Sequence, residues 1–537
     1  MANKVFVIGL DGATFDIILP LVERGDLPTF KKLMDEGSWG NLESTIPYLT
    51  PPAWTSSVTG VNPGKHNIFE FFKRNESFDS LAVNSTDRHC PAIWNVLSDH
   101  GKVVGVFNVP ITYPPEPVNG FMITGMGTPL RSKDFVYPVN LKDEIEEIEK
   151  EFSKGYLSLC VDHAYLNKGD EQGFLYELYD ITRRQERILR YLYNKFRPDF
   201  VMTVFDELDR LQHFFWRYMD KEHILYDPGK PDQIKMAIFD YYKLLDEIIG
   251  RLVSTLGDDT TVVIYSDHGF GPLEKEVYIN QFLKKKRLLK TKFKIEMRLL
   301  MKGVLNRIFK NKFIIWEDGL NTRIDWTRTK AYMDALAGQS IKINQKGNEK
   351  YTRESTYHDV IDALLSLKDP STGETIIINI HKREDIYSGP YVPNAPDLFL
   401  ECKDGYWLSL GFKKELVSIT GYYSSFGSEL SKLAVIRSGE HRREGIAIFW
   451  GKPIRCSKIE KMDIVDITPT LMYILGLKIP DYVDGRVVEE IFEPDFIKKR
   501  PIEFTSEEFG ACVNEPRDYS SKEAREVTER LKGLGYL

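Results

Sequence analysis

Asp267 and His268 stand side by side directly after the apolar run Thr260-Thr261-Val262-Val263-Ile264. A carboxylate and an imidazole at the mouth of a buried strand occupy the place where open α/β sheets bind ligands, and both are donors for a divalent ion. Four further segments carry related chemistry. Gly9-Leu10-Asp11-Gly12 ends the first apolar run in a carboxylate, beside a glycine that permits close backbone approach. In Asp209-Arg210-Leu211-Gln212-His213 the aspartate and histidine lie four residues apart, on one face of a helix. Asp206 competes with Asp209 at a poorer spacing. Gly439-Glu440-His441-Arg442 is a polar loop leading into the apolar Ile446–Trp450. Thr50 precedes Pro51-Pro52, residues suited to a helix's first turn, so its hydroxyl falls at a helix N-terminus. There it would either face a bound phosphate or serve as an N-cap.

Taken together the donors are three aspartates, three histidines and one threonine. Zinc takes this mixture of carboxylate and imidazole, manganese tolerates it, and an all-oxygen magnesium site would not need the histidines. Six protein ligands suit two ions at three each, with the threonine bridging or capping one. Such pairs, ~3.5–4 Å apart, clamp the attacking and leaving oxygens of phosphoryl transfer. Each segment alone has a plainer reading: a strand-ending turn, an exposed helix pair, a solvated loop histidine. That plainer reading is the expectation for His66, His89, His100, His163, His223, His358 and His381.

The elements that must position these donors alternate along the chain. Strands are predicted at Val5–Leu10, Val103–Asn108, Asp199–Phe205, Thr260–Tyr265 and Ile446–Trp450. Helices are predicted at Thr29–Glu36, Ala92–His100 and Asp466–Leu475, and over the apolar face of Ile238, Tyr242, Leu245, Ile249, Leu252 and Leu256. This order predicts an α/β fold, a doubly wound, mostly parallel sheet with helices on both faces. Residues 130–195 read as charged and helical. Composition shifts over 273–429, which is expected to be an inserted cap, leaving 1–272 and 430–500 as a discontinuous core. Residues 501–537 form a tail, with one charged helix over Ser521–Leu537.

The bulk numbers exclude several classes. A net charge of −7 and a pI near 5.9 argue against binding duplex nucleic acid. Five scattered cysteines without a CxxC pair read as reduced thiols in a cytoplasmic protein. Val5–Leu10 is too short for a signal peptide core, and no stretch is apolar enough to span a bilayer. Oligomeric state leaves no trace in the sequence.

The order Asp11, Thr50, Asp209/His213, Asp267-His268, His441 resembles the alkaline phosphatase superfamily. More narrowly it is similar to the type I phosphodiesterase/nucleotide pyrophosphatase branch and its prokaryotic phosphohydrolase/phosphomutase relatives. The phrases carrying this are Thr50 through Gly60 with Asn62-Pro63-Gly64-Lys65-His66, the three ligand segments, Asp466-Ile467-Thr468-Pro469-Thr470, and Ile479-Pro480-Asp481 with Asp484-Gly485-Arg486. They cover about 1–130, 195–272 and 430–490. The resemblance implies Thr50 as a nucleophile that becomes phosphorylated. It implies one metal on Asp11, Asp267 and His268 that activates Thr50, and a second on Asp209, His213 and His441 that activates water. The substrate would be a small-molecule phosphate ester, a diester in preference to a monoester. Phosphoryl transfer to an acceptor and a non-catalytic binding protein are the rival readings. Two departures bear on the substrate: Phe71 stands where nucleotide pyrophosphatases carry an asparagine, and Asn67 replaces a glycine. Asn67, Arg210, Arg442 and Arg443 are the candidate substrate contacts.

Overall fold

The short apolar runs become the strands of one sheet. The computed structural model describes residues 4–74, 80–161, 164–293, 323–333, 339–344, 353–420, 436–507 and 517–533. Nine strands make the central sheet: β1 (Lys4–Leu10), β2 (Ser38–Glu43), β3 (Val104–Val109), β4 (Gly120–Thr124), β5 (Val136–Tyr137), β6 (Phe200–Phe205), β7 (Thr260–Tyr265), β8 (Glu444–Trp450) and β9 (Ser457–Lys458). Across the sheet they lie in the order β9-β2-β8-β7-β1-β6-β3-β4-β5. β1 pairs in parallel with both β6 and β7, and β3 pairs in parallel with β6 and β4.

Side chains of β1 alternate between two cores, as a strand's two-residue period requires. Phe6, Ile8 and Leu10 enter one apolar cluster, and Val5 and Val7 the other. The first cluster is covered by helices α1 (Pro28–Glu36), α3 (Glu171–Phe196), α4 (Glu207–Met219) and α5 (Ala237–Val253). The second is covered by α2 (Thr50–Thr59) and α6 (Ile467–Leu475). The sheet is therefore doubly wound. Val262 and Val263, fully buried on opposite faces of β7, each contribute about 1.5–3 kcal/mol by leaving water.

β8 runs antiparallel to β7 and β2. The reason lies just upstream. Gly439–Arg442 forms a ribbon with the start of the long strand Gly269–Tyr278, pairing Phe270 with His441. The chain thus arrives at the edge where β7 ends and can only run back along the sheet. The close approach needs glycine. A Cβ on Gly269 would lie 1.9 Å from the Glu444 carbonyl oxygen.

Between these two passes the chain builds a smaller body. The strands Ala331–Tyr332, Ser340–Ile343, Leu398–Cys402 and Ile377–Lys382 form one sheet, and Gly405–Ser409 and Val417–Ile419 flank Gly269–Tyr278. Val277, Ile341, Val360, Leu398 and Leu408 belong to a separate apolar cluster. Of the predicted tail helix, Ser521–Gly533 is described and forms α7 (Ser521–Gly533), while 534–537 lie outside the described residues.

Gly269→Val is expected to cost about 1–3 kcal/mol, because backbone cannot yield as a flexible side chain can. The shift would be read as a lower urea midpoint at unchanged m. A variant as stable as wild type would mean that the ribbon at 269–272 and 439–442 is not formed.

Candidate metal centre

Four strand ends meet at one edge of the sheet. Asp11 follows β1, Asp206 follows β6, Asp267 follows β7, and His441 is brought back by the ribbon. α4 starts directly after Asp206 and presents Asp209 and His213 one turn apart, as their spacing predicts. Asp11, Asp209, His213, Asp267, His268 and His441 are all at most 3% exposed, and Thr50 is wholly buried.

The donors fall into two groups. Asp11, Asp267 and His268 bring ligand atoms within 4.8 Å of one another. His268 Nε2 lies 3.2 Å from Asp267 Oδ2 and 3.6 Å from Asp11 Oδ1. In the second group Asp209 Oδ1 lies 3.1 Å from His441 Nε2 and 3.3 Å from His213 Nε2, and the two Nε2 atoms are 3.1 Å apart. A tetrahedral ion with bonds of ~2.0–2.1 Å would space its ligand atoms ~3.3 Å apart. The two groups touch through His268 and His441, whose rings stack at 3.7 Å.

Proton placement supports a cation. Nδ1 of His213, His268 and His441 lies 2.9, 3.1 and 3.2 Å from the carbonyls of Gly439, Gly269 and Tyr48. A carbonyl only accepts, which favours a proton on each Nδ1 and a lone pair on each Nε2 toward the cluster. The Nε2 atoms of His213 and His441 would then oppose lone pairs at 3.1 Å, which a cation between them relieves. Arg437 also approaches His213, with Nε 3.0 Å from Nδ1 and Nη2 3.3 Å from Nε2; a guanidinium only donates, so at His213 it and the Gly439 carbonyl favour opposite tautomers, whereas His268 and His441 have a carbonyl alone at Nδ1. On the first group, Asp11 Oδ1, Thr50 Oγ1, Asp267 Oδ2 and His268 Nε2 are buried without a hydrogen-bond partner. Burial of four polar atoms in this state is costly unless something binds them. The residues fit a divalent ion in each group.

The electrostatics agree. Burial, then Asp267 and Asp209, push the Asp11 carboxyl well above its usual range, and burial with Asp209 does the same to Asp267. Burial opposes ionisation of Asp209 as well, but His213 and His441 outweigh it and hold that carboxyl low. Desolvation depresses all three imidazoles, helped by Arg437 at His213 and by His441 at His268.

Local sequence explains the placement of Thr50. α2 is buried on every side, and Gly60 ends it in the left-handed conformation at φ 70°. Leu49, not Thr50, is the N-cap, so the N-cap alternative for Thr50 does not hold. One turn on, Trp54 Nε1 donates to Asp11 Oδ2 at 3.1 Å, and Gly12 N donates to Asp267 Oδ1 at 3.3 Å. These contacts aim the two carboxylates.

Several expected contacts go elsewhere. Arg210 is fully buried and paired with Asp206, whose other oxygen accepts from Asn108 Nδ2 at 3.0 Å, so Asp206 is committed as well. Arg442 lies over Gly271 and pairs with Asp404. Arg443 pairs with Glu43 at 2.7 Å. Asn67 takes the left-handed conformation after the short helix Pro63–His66 and accepts from Asn394 Nδ2 at 2.9 Å. His66 and His223 are buried, not solvated. His66 Nδ1 accepts from Ile68 N, so its Nε2–H donates to Ser56 Oγ at 2.9 Å, and His223 Nε2 lies 2.9 Å from the Leu273 carbonyl. His381 pairs with Glu401 at 2.7 Å, His89 stacks on Tyr391, His100 and His358 are exposed, and His163 lies outside the described residues. Neither Trp54 nor Arg437 is marked as a site residue by any pattern in the sequence. Glu440 was visible beside His441, and it lies within reach of His213 and His441.

A buried cluster of metal donors at the C-terminal edge of a doubly wound sheet, beside a helix that begins with a threonine, fits the site of a phosphoester hydrolase. The chain belongs to the type I phosphodiesterase / nucleotide pyrophosphatase family, which matches residues 5–426. His441 lies beyond that match. Among solved structures, phosphonoacetate hydrolase from Sinorhizobium meliloti 1021 shares 13% identity over 87% of this chain and 94% of its own, with a TM-score of 0.50. Murine ectonucleotide pyrophosphatase / phosphodiesterase 5 shares 14% over 91% and 100%, with a TM-score of 0.49. The former likeness is one of fold. No curated protein matches the chain. Among the described residues no helix is long and apolar enough to cross a membrane.

Trp54→Phe removes the N–H that orients Asp11 while keeping an aromatic ring. Divalent-metal affinity should fall about 10–100-fold, measured by titration against a metal buffer. Unchanged affinity would remove Asp11 from the ligand set.

Proposed function

We propose that the protein hydrolyses small-molecule phosphate esters, diesters in preference to monoesters, with Thr50 as the nucleophile. The observation that carries this is the Thr50 hydroxyl: wholly buried, without a hydrogen-bond partner, at the first turn of α2 and beside the donor cluster. An oxygen so placed is either a serious defect or the reacting atom. Asp11, Asp267 and His268 would hold one divalent ion and Asp209, His213 and His441 another, zinc or manganese. When bound, the pair lowers the pKa of hydroxyl groups and neutralises charge on a phosphoryl group.

The chain's own residues do the rest. Pro51 and Pro52 carry no N–H and Ala53 N donates to the Leu49 carbonyl, so Thr50 N is the donor that the first turn of α2 can turn toward an anionic oxygen at the helix's positive end. Attack by Thr50 Oγ1 on phosphorus forms the threonine ester and expels the alcohol. Water then cleaves that ester, returning Thr50 and releasing the second product. The imidazoles stay neutral, and those of His268 and His441 are held by an Nδ1–H on a carbonyl, so these rings cannot turn to compete for the proton. The reading divides the chain into a core of 1–272 and 430–500, a cap of 273–429 and a tail of 501–537. A cytoplasmic, reducing setting is part of it, in keeping with Cys90, Cys160, Cys402 and Cys456 forming no disulfide among the described residues.

Burial of the whole site also favours a second reading, transfer to an acceptor hydroxyl, because a closed site excludes competing water. Release of free phosphate from a monoester, against phosphorylation of added acceptor, separates the two. Thr50→Ala should lower cleavage of a p-nitrophenyl phosphodiester by about a thousandfold or more while metal content is unchanged. Acid quenching of wild type should trap one phosphoryl group on the peptide containing Thr50. Full activity of the alanine variant would end the assignment.

A further inference from the structure

α7 lies across the same sheet edge as the donor cluster. Tyr519, just before it, donates to the Gly127 carbonyl at 2.6 Å and stacks on Tyr113. Glu523 accepts from Tyr113 Oη at 2.9 Å, and Glu526 accepts from Arg131 N at 3.1 Å. These contacts fix the helix over the loops that follow β3 and β4. On its inner face Val527 and Leu531, one turn apart, join Leu49, Phe71, Phe72 and Met126 in a single buried apolar cluster. Leu49 is the residue immediately before Thr50. One flank of α7 therefore belongs to the wall beside the nucleophile.

The other flank carries Arg530. This side chain is 7% exposed, its guanidinium lies 4.8 Å over the Tyr156 ring, and Nη1 and Nη2 make no hydrogen bond among the described residues. Asp206 is an ion-pair partner, with Oδ2 at 3.7 Å from Nη2, beyond hydrogen-bonding distance. Asp206 is already satisfied, by Arg210 on Oδ2 and Asn108 on Oδ1. Arg530 is thus a buried cation with two idle donors, a costly arrangement in a folded protein.

Its position gives those donors a target. Asp206 follows β6 as Asp11 follows β1, the two strands are in register at Leu10 and Phe205, and Asp11 N donates to the Phe205 carbonyl. Adjacent strands lie ~4.8 Å apart. Arg530 therefore approaches the edge one strand beyond Asp11, on the side away from Asp267. With Nη2 3.7 Å from Asp206 Oδ2, Arg530 stands next to the strand end that neighbours Asp11. Resting on the phosphoester reading above, we propose that Arg530 is a specificity-determining residue that binds a second oxyanion of the substrate, a carboxylate or a further phosphate, beside the reacting phosphoryl group. A guanidinium fork suits either oxyanion.

The test compares two probes that differ by one carboxylate, 2-phosphoglycolate and methyl phosphate. Calorimetry on the metal-loaded, full-length Thr50→Ala protein should show 2-phosphoglycolate binding about tenfold or more tighter. Adding Arg530→Gln should abolish that preference, and Arg530→Lys, which keeps the charge and is the control should the glutamine variant not fold, should retain part of it. Metal content and melting temperature should be unchanged. The proposal is overturned by an absent preference, by one that survives Arg530→Gln, or by metal loss in that variant, which would make Arg530 a positioning residue for Asp206 and α4. Binding does not require turnover, so a protein that shows the preference yet cleaves no ester would sink the hydrolase reading and leave this one standing.

Discussion

Three carboxylates, Asp11, Asp209 and Asp267, are held together where water does not reach. Bringing like charges into such a place is the most expensive single act of this fold, since each loses its hydration and each repels the others. Protonation lessens the cost at Asp11 and Asp267, whose carboxyls burial and the neighbouring carboxylates push up. Three histidines facing inward with lone pairs add donors, not charge compensation. Positive charge from outside the chain is what this arrangement lacks. Every strand end in the centre of the sheet is shaped around that requirement.

Rigidity follows from the same constraint, because donors that could swing apart would do so. The scaffold prevents it through contacts that have no other evident purpose. Trp54 reaches from α2 to fix Asp11, and three main-chain carbonyls fix the three imidazoles. Ser266 donates to the Ala13 carbonyl and accepts from Ile446 N, tying the ends of three strands together beside Asp267. α2 itself is buried on all sides, so Thr50 sits on an element that cannot tilt without disturbing the core.

Much of this was legible in the sequence, and the failures have physical causes. β7 and β8 announce themselves as apolar β-branched runs, and the Asp209/His213 spacing needs only helical geometry. β2 was not legible. Ser38-Trp39-Gly40-Asn41-Leu42-Glu43 carries no β-branched residue, and it is a strand because β8 and β9 flank it and Gly40 lets the Ile459 carbonyl approach. Arg210 follows Asp209 directly, and neighbours on a helix point about 100° apart, so it could not share the donors' face. Arg442 misses for the parallel reason. Its segment is a strand, not a loop, and strand neighbours point to opposite faces. His66 reads as solvated in the sequence because nothing there says that its ring closes the turn through Asn67 by accepting from Ile68 N.

The ribbon that delivers His441 shows why likeness and physics have to be argued separately here. The family match stops at 426, so it says nothing about residue 441. What places His441 is the pairing of Phe270 with it, the glycine at 269 that allows that pairing, and the carbonyl of Tyr48 that orients its ring. Tyr48 lies two residues before Thr50, so the loop that leads to the nucleophile also orients a donor of the other group. A shift of that loop would disturb both halves of the site at once, which couples the position of the reacting hydroxyl to the geometry that holds the second ion.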